Sequence, residues 1–156
     1  MKRFLLILIL YINYGCYADL QINYEIVSVE SAMNQINSTG YNAKNIFESK
    51  NKTTLTNIEI ETLKRILNSS IETYNNKRQP FQQINIEDYK FYFVPTINEK
   101  QEKWIFIYGN CNKDNDLDDI GLALSFLVDD GGKCYVQTVI NLTRKIEGWI
   151  VTNSNA

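Results

Sequence analysis

Apolar residues fall into three regimes along this 156-residue chain. Nine follow one another without a break from Phe4 to Ile12. Between Ile60 and Tyr74 they recur at steps of three and four. From Lys90 onward, aromatic and β-branched residues crowd into short runs separated by polar turns. Each regime predicts a different kind of element.

The middle regime is a helix with its start marked. Thr56-Asn57-Ile58-Glu59 is a capping box, in which the threonine oxygen accepts from the amide of Glu59 and the glutamate reaches back to the cap's own N–H. Behind it Ile60, Leu63, Leu67, Ile71 and Tyr74, with Ile66 beside them, form one apolar stripe over about five turns. Asn75-Asn76 and Pro80 close the helix. A helix with one apolar stripe needs another layer to bury it.

The last regime predicts that layer. Lys90 to Val94 and Lys103 to Tyr108 have strand composition, with the polar turn Asn98 to Glu102 between them. Leu122 to Val128 is a third run, and Asp129-Asp130-Gly131-Gly132 forms a tight turn into a strand from Cys134 to Ile140. Gly148 to Val151 reads as a last short strand, and Leu20 to Val29 as an early one. Residues 31–55 fit a short irregular helix or a loop equally well. Several strands on short connections after one long helix predict an α+β fold, a curved antiparallel meander sheet of four to five strands on one helix.

The opening run changes the compartment. Lys2 and Arg3 followed by nine apolar residues match the basic and apolar regions of a secretory signal, and the run is shorter than the about 20 residues a spanning helix needs. Ala18 and Cys16 stand at the −1 and −3 positions of a cleavage site. The segment therefore reads as residues 1–18 signal peptide and 19–156 a single exported domain, periplasmic, secreted or outer-surface. A second reading makes Cys16 the lipid-bearing cysteine of a lipoprotein, the one route by which the chain would be tied to a membrane. Removing residues 1–18 takes away Lys2 and Arg3 and no acidic residue. That leaves 14 basic against 18 acidic side chains and a net charge of −4. With no basic run there is no counterion release to exploit, which argues against nucleic acid as a partner. Cys111 and Cys134 remain as an even pair, and in an oxidising compartment such a pair reads as a disulfide or as two buried thiols.

The Ile-Glu-Ile-Glu helix ending in Tyr74-Asn75, the Tyr89-Lys90 strand start, Trp104-Ile105 leading to Cys111, and Asp129 to Tyr135 running into Ile140-Asn141-Leu142-Thr143 carry a resemblance. Over residues 56–151 the chain resembles small exported proteins of Bacteroidetes-type bacteria. Their Asn-Cys-Phe-Cys segment is replaced here by Gly109-Asn110-Cys111-Asn112. The helix-then-meander order is also similar to cystatin-like folds. The resemblance implies a fold and a compartment, and no activity.

Candidate chemistry is sparse. The chain has no histidine, so no imidazole base serves a serine or cysteine nucleophile. Cofactor fingerprints and phosphate loops are absent from the sequence, and no cofactor is implied. Asp114, Asp116 and Asp118 take the first, third and fifth positions of a calcium loop, but Asp119 and Ser125 replace its glycine and its bidentate glutamate. A solvated acidic loop is the better reading. Trp104, Phe106 and Tyr108 alternate onto one face of their strand. Either they form the core, or they are an exposed row that binds a protein, a peptide or a glycan. The leading expectation is an exported, non-catalytic binding domain. A secreted hydrolase using two carboxylates stands second, and a protease inhibitor, by fold analogy alone, third.

Overall fold

Thr56 caps the long helix as its sequence requires: its Oγ1 accepts from the amide of Glu59, whose carboxylate accepts in turn from the amide of Thr56 at 2.8 Å. The computed structural model describes residues 21–38, 44–47, 50–111 and 132–153. In chain order these form strand β1 (Asn23–Ile26), helices α1 (Val29–Ser38) and α2 (Lys44–Phe47), strand β2 (Asn51–Lys52), helix α3 (Asn57–Asn75), two 3₁₀ turns, and strands β3 (Lys90–Ile97), β4 (Lys103–Asn110), β5 (Gly132–Asn141) and β6 (Val151–Asn153). The fold is α+β, with helices around a mixed sheet.

The sheet runs β1-β3-β4-β5-β6, with β2 pairing the far end of β3. Strands β3 to β6 pair antiparallel, as expected, but β1 pairs parallel with β3, Asn23 opposite Lys90 through Ile26 opposite Phe93. The expectation of a pure antiparallel meander is thereby corrected. Parallel neighbours need a long crossover, and here residues 27–89 supply it.

That crossover also corrects the expectation of one helix. Ser28 ends the early strand by capping α1, accepting the amide of Ser31 at 3.0 Å. Val29, Ala32 and Ile36 then recur at helical spacing and are buried. They pack with Phe47 of α2 against Tyr92, Val94 and Tyr108 on one face of the sheet. On the other face Leu63, Leu67 and Ile71 of α3 pack against Phe91, Phe93, Ile105, Ile107, Val136 and Ile140. β3 is consequently buried at every position from Phe91 to Thr96, because helices cover both of its faces. Each fully buried Leu, Ile, Val or Phe side chain contributes about 1.5–3 kcal/mol relative to exposure.

The turn after β3 is built by Asn98, whose Oδ1 accepts the amides of Lys100 and Glu102. Gln101 takes a positive φ of 60° there. The expected run Leu122 to Val128 lies outside the described residues. Cys111 and Cys134 sit at disulfide-bonding distance, their Cα atoms 4.8 Å apart, where the end of β4 meets the start of β5.

Candidate functional site

The two helical covers are unequal in reach. α3 lies along one face from β3 to β5, whereas the cluster built on α1 and α2 takes in Tyr92 and Val94 of β3, Phe106 and Tyr108 of β4 and, of β5, Tyr135. Trp104, Phe106 and Tyr108 share the α1 face and meet three environments along one strand. Tyr108 is fully buried among Tyr92 and Tyr135. Phe106 is half-covered, with the Phe47 ring edge-on at 5.1 Å and the Lys50 ammonium 5.7 Å from its ring centre. Trp104 is partly buried, its indole Nε1 enclosed. The expected aromatic face is thus core at Tyr108 and only partly buried at Phe106 and Trp104, where it lines a groove.

The partly buried end is the floor of a groove of about 410 Å³, walled by Trp104, Phe106, Val139, Ile146, Trp149 and Val151. β4 and β5 supply the floor because Phe106 pairs with Val139 and Trp104 with Asn141 in register. The second wall is the return segment after β5. A turn closed by the bridge of Asn141 to Ile146 reverses the chain, and the segment rejoins β5 only where Val151 pairs with Gln137. Gly148 lies so close to Thr138 that a Cβ there would collide with the threonine hydroxyl and the Val139 carbonyl. Glu147 turns its carboxylate to the α3 side, where it accepts from the Ser69 hydroxyl at 2.6 Å. The Tyr74 and Thr152 hydroxyls meet at 3.1 Å. These contacts hold the segment in place while Trp149 stands 91% exposed, with Ile146 and Val151 about half exposed.

The groove's exposed surface is mainly apolar, with Glu147 the exposed polar residue of its lining. Gln137, Thr138 and Asn141 all line it and all lie beneath the surface. The side chain of Asn141 accepts the amide of Arg144, and the Arg144 guanidinium pairs with Glu102. Burial works against the Glu102 carboxylate, but its hydrogen bond from Asn98 and its partner Arg144 hold it below the usual carboxylate range. On the other side of Trp149 a second hollow of about 480 Å³ is lined by Ser70, Tyr74, Lys77 and Arg78. There the Arg78 guanidinium stacks 4.9 Å from the Tyr74 ring centre. Among the described residues that line the groove Glu147 is the one carboxylate, and it accepts from the Ser69 hydroxyl.

The remaining expected residues fall elsewhere. Asp114, Asp116 and Asp118 lie outside the described residues. Among the described residues no group of three or more acidic or cysteine side chains is placed to hold a metal. No described helix is long and apolar enough to cross a membrane. Val139, Trp149 and Val151 were legible only as strand residues, and Ile146 fell outside every predicted element. The one signal for them was an indole placed among Lys145, Glu147 and Gly148 near a polar tail.

Fold and groove together define an α+β protein with helices on both faces of a mixed sheet and an apolar groove beside its last two strands. Comparison of the chain with known protein families, with curated proteins and with solved structures finds no match.

Proposed function

We propose that this chain is an exported, non-catalytic binding module and that the groove beside β5 and β6 is its binding site. The observation that carries the reading is Trp149. An indole side chain offers 150–250 Å² of surface, and leaving it in water forgoes on the order of 4–6 kcal/mol of burial. The fold holds this one out on a segment fastened by Glu147 and Gly148. Exposed aromatic anchors beside apolar pockets are where binding energy concentrates in interfaces.

The groove favours an apolar group over a glycan. A sugar needs hydrogen-bonding partners at the surface for its hydroxyls, and Gln137, Thr138 and Asn141 lie beneath it, leaving Glu147 as the exposed polar side chain. The carboxylate-pair hydrolase gains no support from a groove with one bonded carboxylate. The inhibitor reading rests on cystatin-like analogy, and no feature of the groove favours it. Export rests on the signal-like first residues, and the cysteine pair is compatible with an oxidising compartment. N-terminal sequencing of native material is expected to begin at Asp19. A blocked, lipid-modified Cys16 would replace the free form with the anchored one.

Both tryptophans of the chain, Trp104 and Trp149, line the groove, and Trp149 also edges the second hollow, so a probe seated in the groove moves both indole N–H signals in an NMR spectrum. Millimolar N-acetyl-leucinamide is expected to shift both, and maltose neither. Signals that move with maltose alone, or with neither probe, would overturn the reading.

A further inference from the structure

We propose that the hollow between the end of α3 and the return segment is a second binding site, one that takes a small monocarboxylate with an apolar body. The carboxylate meets Lys77 and Arg78, and the body lies along Trp149 and Ile150. This site goes beyond the groove reading and does not depend on it.

Three observations converge. First, the helix places both cations on one side. The Lys77 amide donates to the Tyr74 carbonyl and the Arg78 amide to the Asn75 carbonyl, both at 3.1 Å, which continues the helical course past the end of α3. Lys77 and Arg78 follow Tyr74 by three and four positions, the spacing that sets side chains on one face, and all three line the hollow. Second, these cations have no acidic partner among the described residues. The Arg78 guanidinium lies over the Tyr74 ring, 4.9 Å from its centre. A ring face attracts a cation without supplying an oxygen acceptor, so this contact positions the guanidinium and leaves its N–H fork to an incoming carboxylate, whose two oxygens match it. Third, charge is spread unevenly along the hollow. Glu147 keeps its negative charge, but it is tied to Ser69. That serine stands roughly 9 Å before Asn75 along the axis of α3, at about 1.5 Å per residue, and Lys77 and Arg78 lie beyond Asn75. Two cations against one carboxylate leave a single positive charge, concentrated at the Lys77 end, with Trp149 and Ile150 as apolar surface alongside. One carboxylate balances that charge. A second acidic group would be pressed towards Glu147, which limits the ligand to a monoanion.

Benzoate is the probe, with benzamide as its uncharged match and acetate as the charge without the body. On the isotope-labelled full chain, millimolar benzoate is expected to shift the Trp149 indole signal and the backbone amides of Lys77 and Arg78, and to saturate. Trp104, which lines the groove and not the hollow, is expected to stay unmoved. Benzamide and acetate are each expected to bind about tenfold more weakly or less. The double variant Lys77→Gln with Arg78→Gln changes two exposed residues. It is expected to keep its urea midpoint and to weaken benzoate about tenfold or more.

Equal binding of benzoate and benzamide overturns carboxylate recognition, and equal binding of benzoate and acetate overturns the apolar half of the ligand. Benzoate binding that survives the double variant unchanged overturns the roles of Lys77 and Arg78. Benzoate that moves both indoles and neither amide sits in the groove and overturns the hollow. Silence towards benzoate overturns it too. Each of these results leaves the groove reading standing, because that reading is tested with uncharged N-acetyl-leucinamide and read at Trp104 as well as Trp149.

Discussion

Gly148 matters for what it lacks. A Cβ at this position would strike the Thr138 hydroxyl and the Val139 carbonyl, and because the second of these is sheet backbone the return segment must move instead. Gly148→Ala is expected to cost about 1–3 kcal/mol, as overpacking does, read as a lower urea midpoint. The same variant should shift the Trp149 indole signal as the groove wall lifts. Tyr89 carries a different sensitivity. Its hydroxyl donates to the Lys133 carbonyl at 2.5 Å. Burial first, and the nearby Asp88 and Tyr74 after it, push its phenol up to about 12, against about 10 in an unfolded chain. The folded pKa is raised, so this contribution is complete below pH about 10 and is lost as pH climbs towards 12. Tyr89→Phe is expected to lower stability at pH 7 by about 1 kcal/mol and to flatten the fall between pH 10 and 12. Denaturation at a series of alkaline pH values compares the two slopes. At this scale Gly148 was readable only as a strand residue, since its constraint comes from Thr138, ten positions away in sequence.

Among the elements, α3 and α1 show why one helix was legible and the other was not. α3 runs for 19 residues with a capping box and a stripe of large aliphatic side chains, so local pattern and tertiary burial agree. α1 has ten residues, and its apolar positions Val29, Ala32 and Ile36 are diluted by serine, asparagine and glutamine. Such a short helix is marginal alone and is held by packing. Its Ser28 cap and the three- and four-residue steps were present in the sequence, but a following loop fitted the same letters. Ile36 is fully buried against the α1 face of the sheet, so Ile36→Ala is expected to cost about 2–5 kcal/mol. Asn34→Ala, on the exposed side of the same helix, should stay within about 0.5 kcal/mol. Equal effects of the two in chemical denaturation would show that α1 does not cover the sheet.

Across the molecule, the sheet is closed by helices at β3 and opens towards β5 and β6. The cysteine pair ties the opposite end of the β4–β5 hairpin, with the Cys111 amide donating to the Cys134 carbonyl at 3.0 Å. A link across 23 positions removes loop-closure entropy from the unfolded chain, about 3 kcal/mol on the chain-entropy model. The double variant Cys111→Ala with Cys134→Ala is expected to lose that amount in chemical denaturation. Its two indole signals should stay unmoved, because both tryptophans lie towards the other end of the hairpin.

Local chemistry alone determined α3, the strands around Phe93, Ile107 and Val136, and the alternation that sets Trp104, Phe106 and Tyr108 on one face. Capping and side-chain periodicity act within a few residues, so the letters suffice for them. Which neighbour β1 takes, how far α1 and α2 extend across the sheet, and hence where its aromatic row emerges as a groove were decided only in three dimensions. Those outcomes depend on residues tens of positions apart competing for the same surface, and the period of a single strand carries no record of what packs on either side of it.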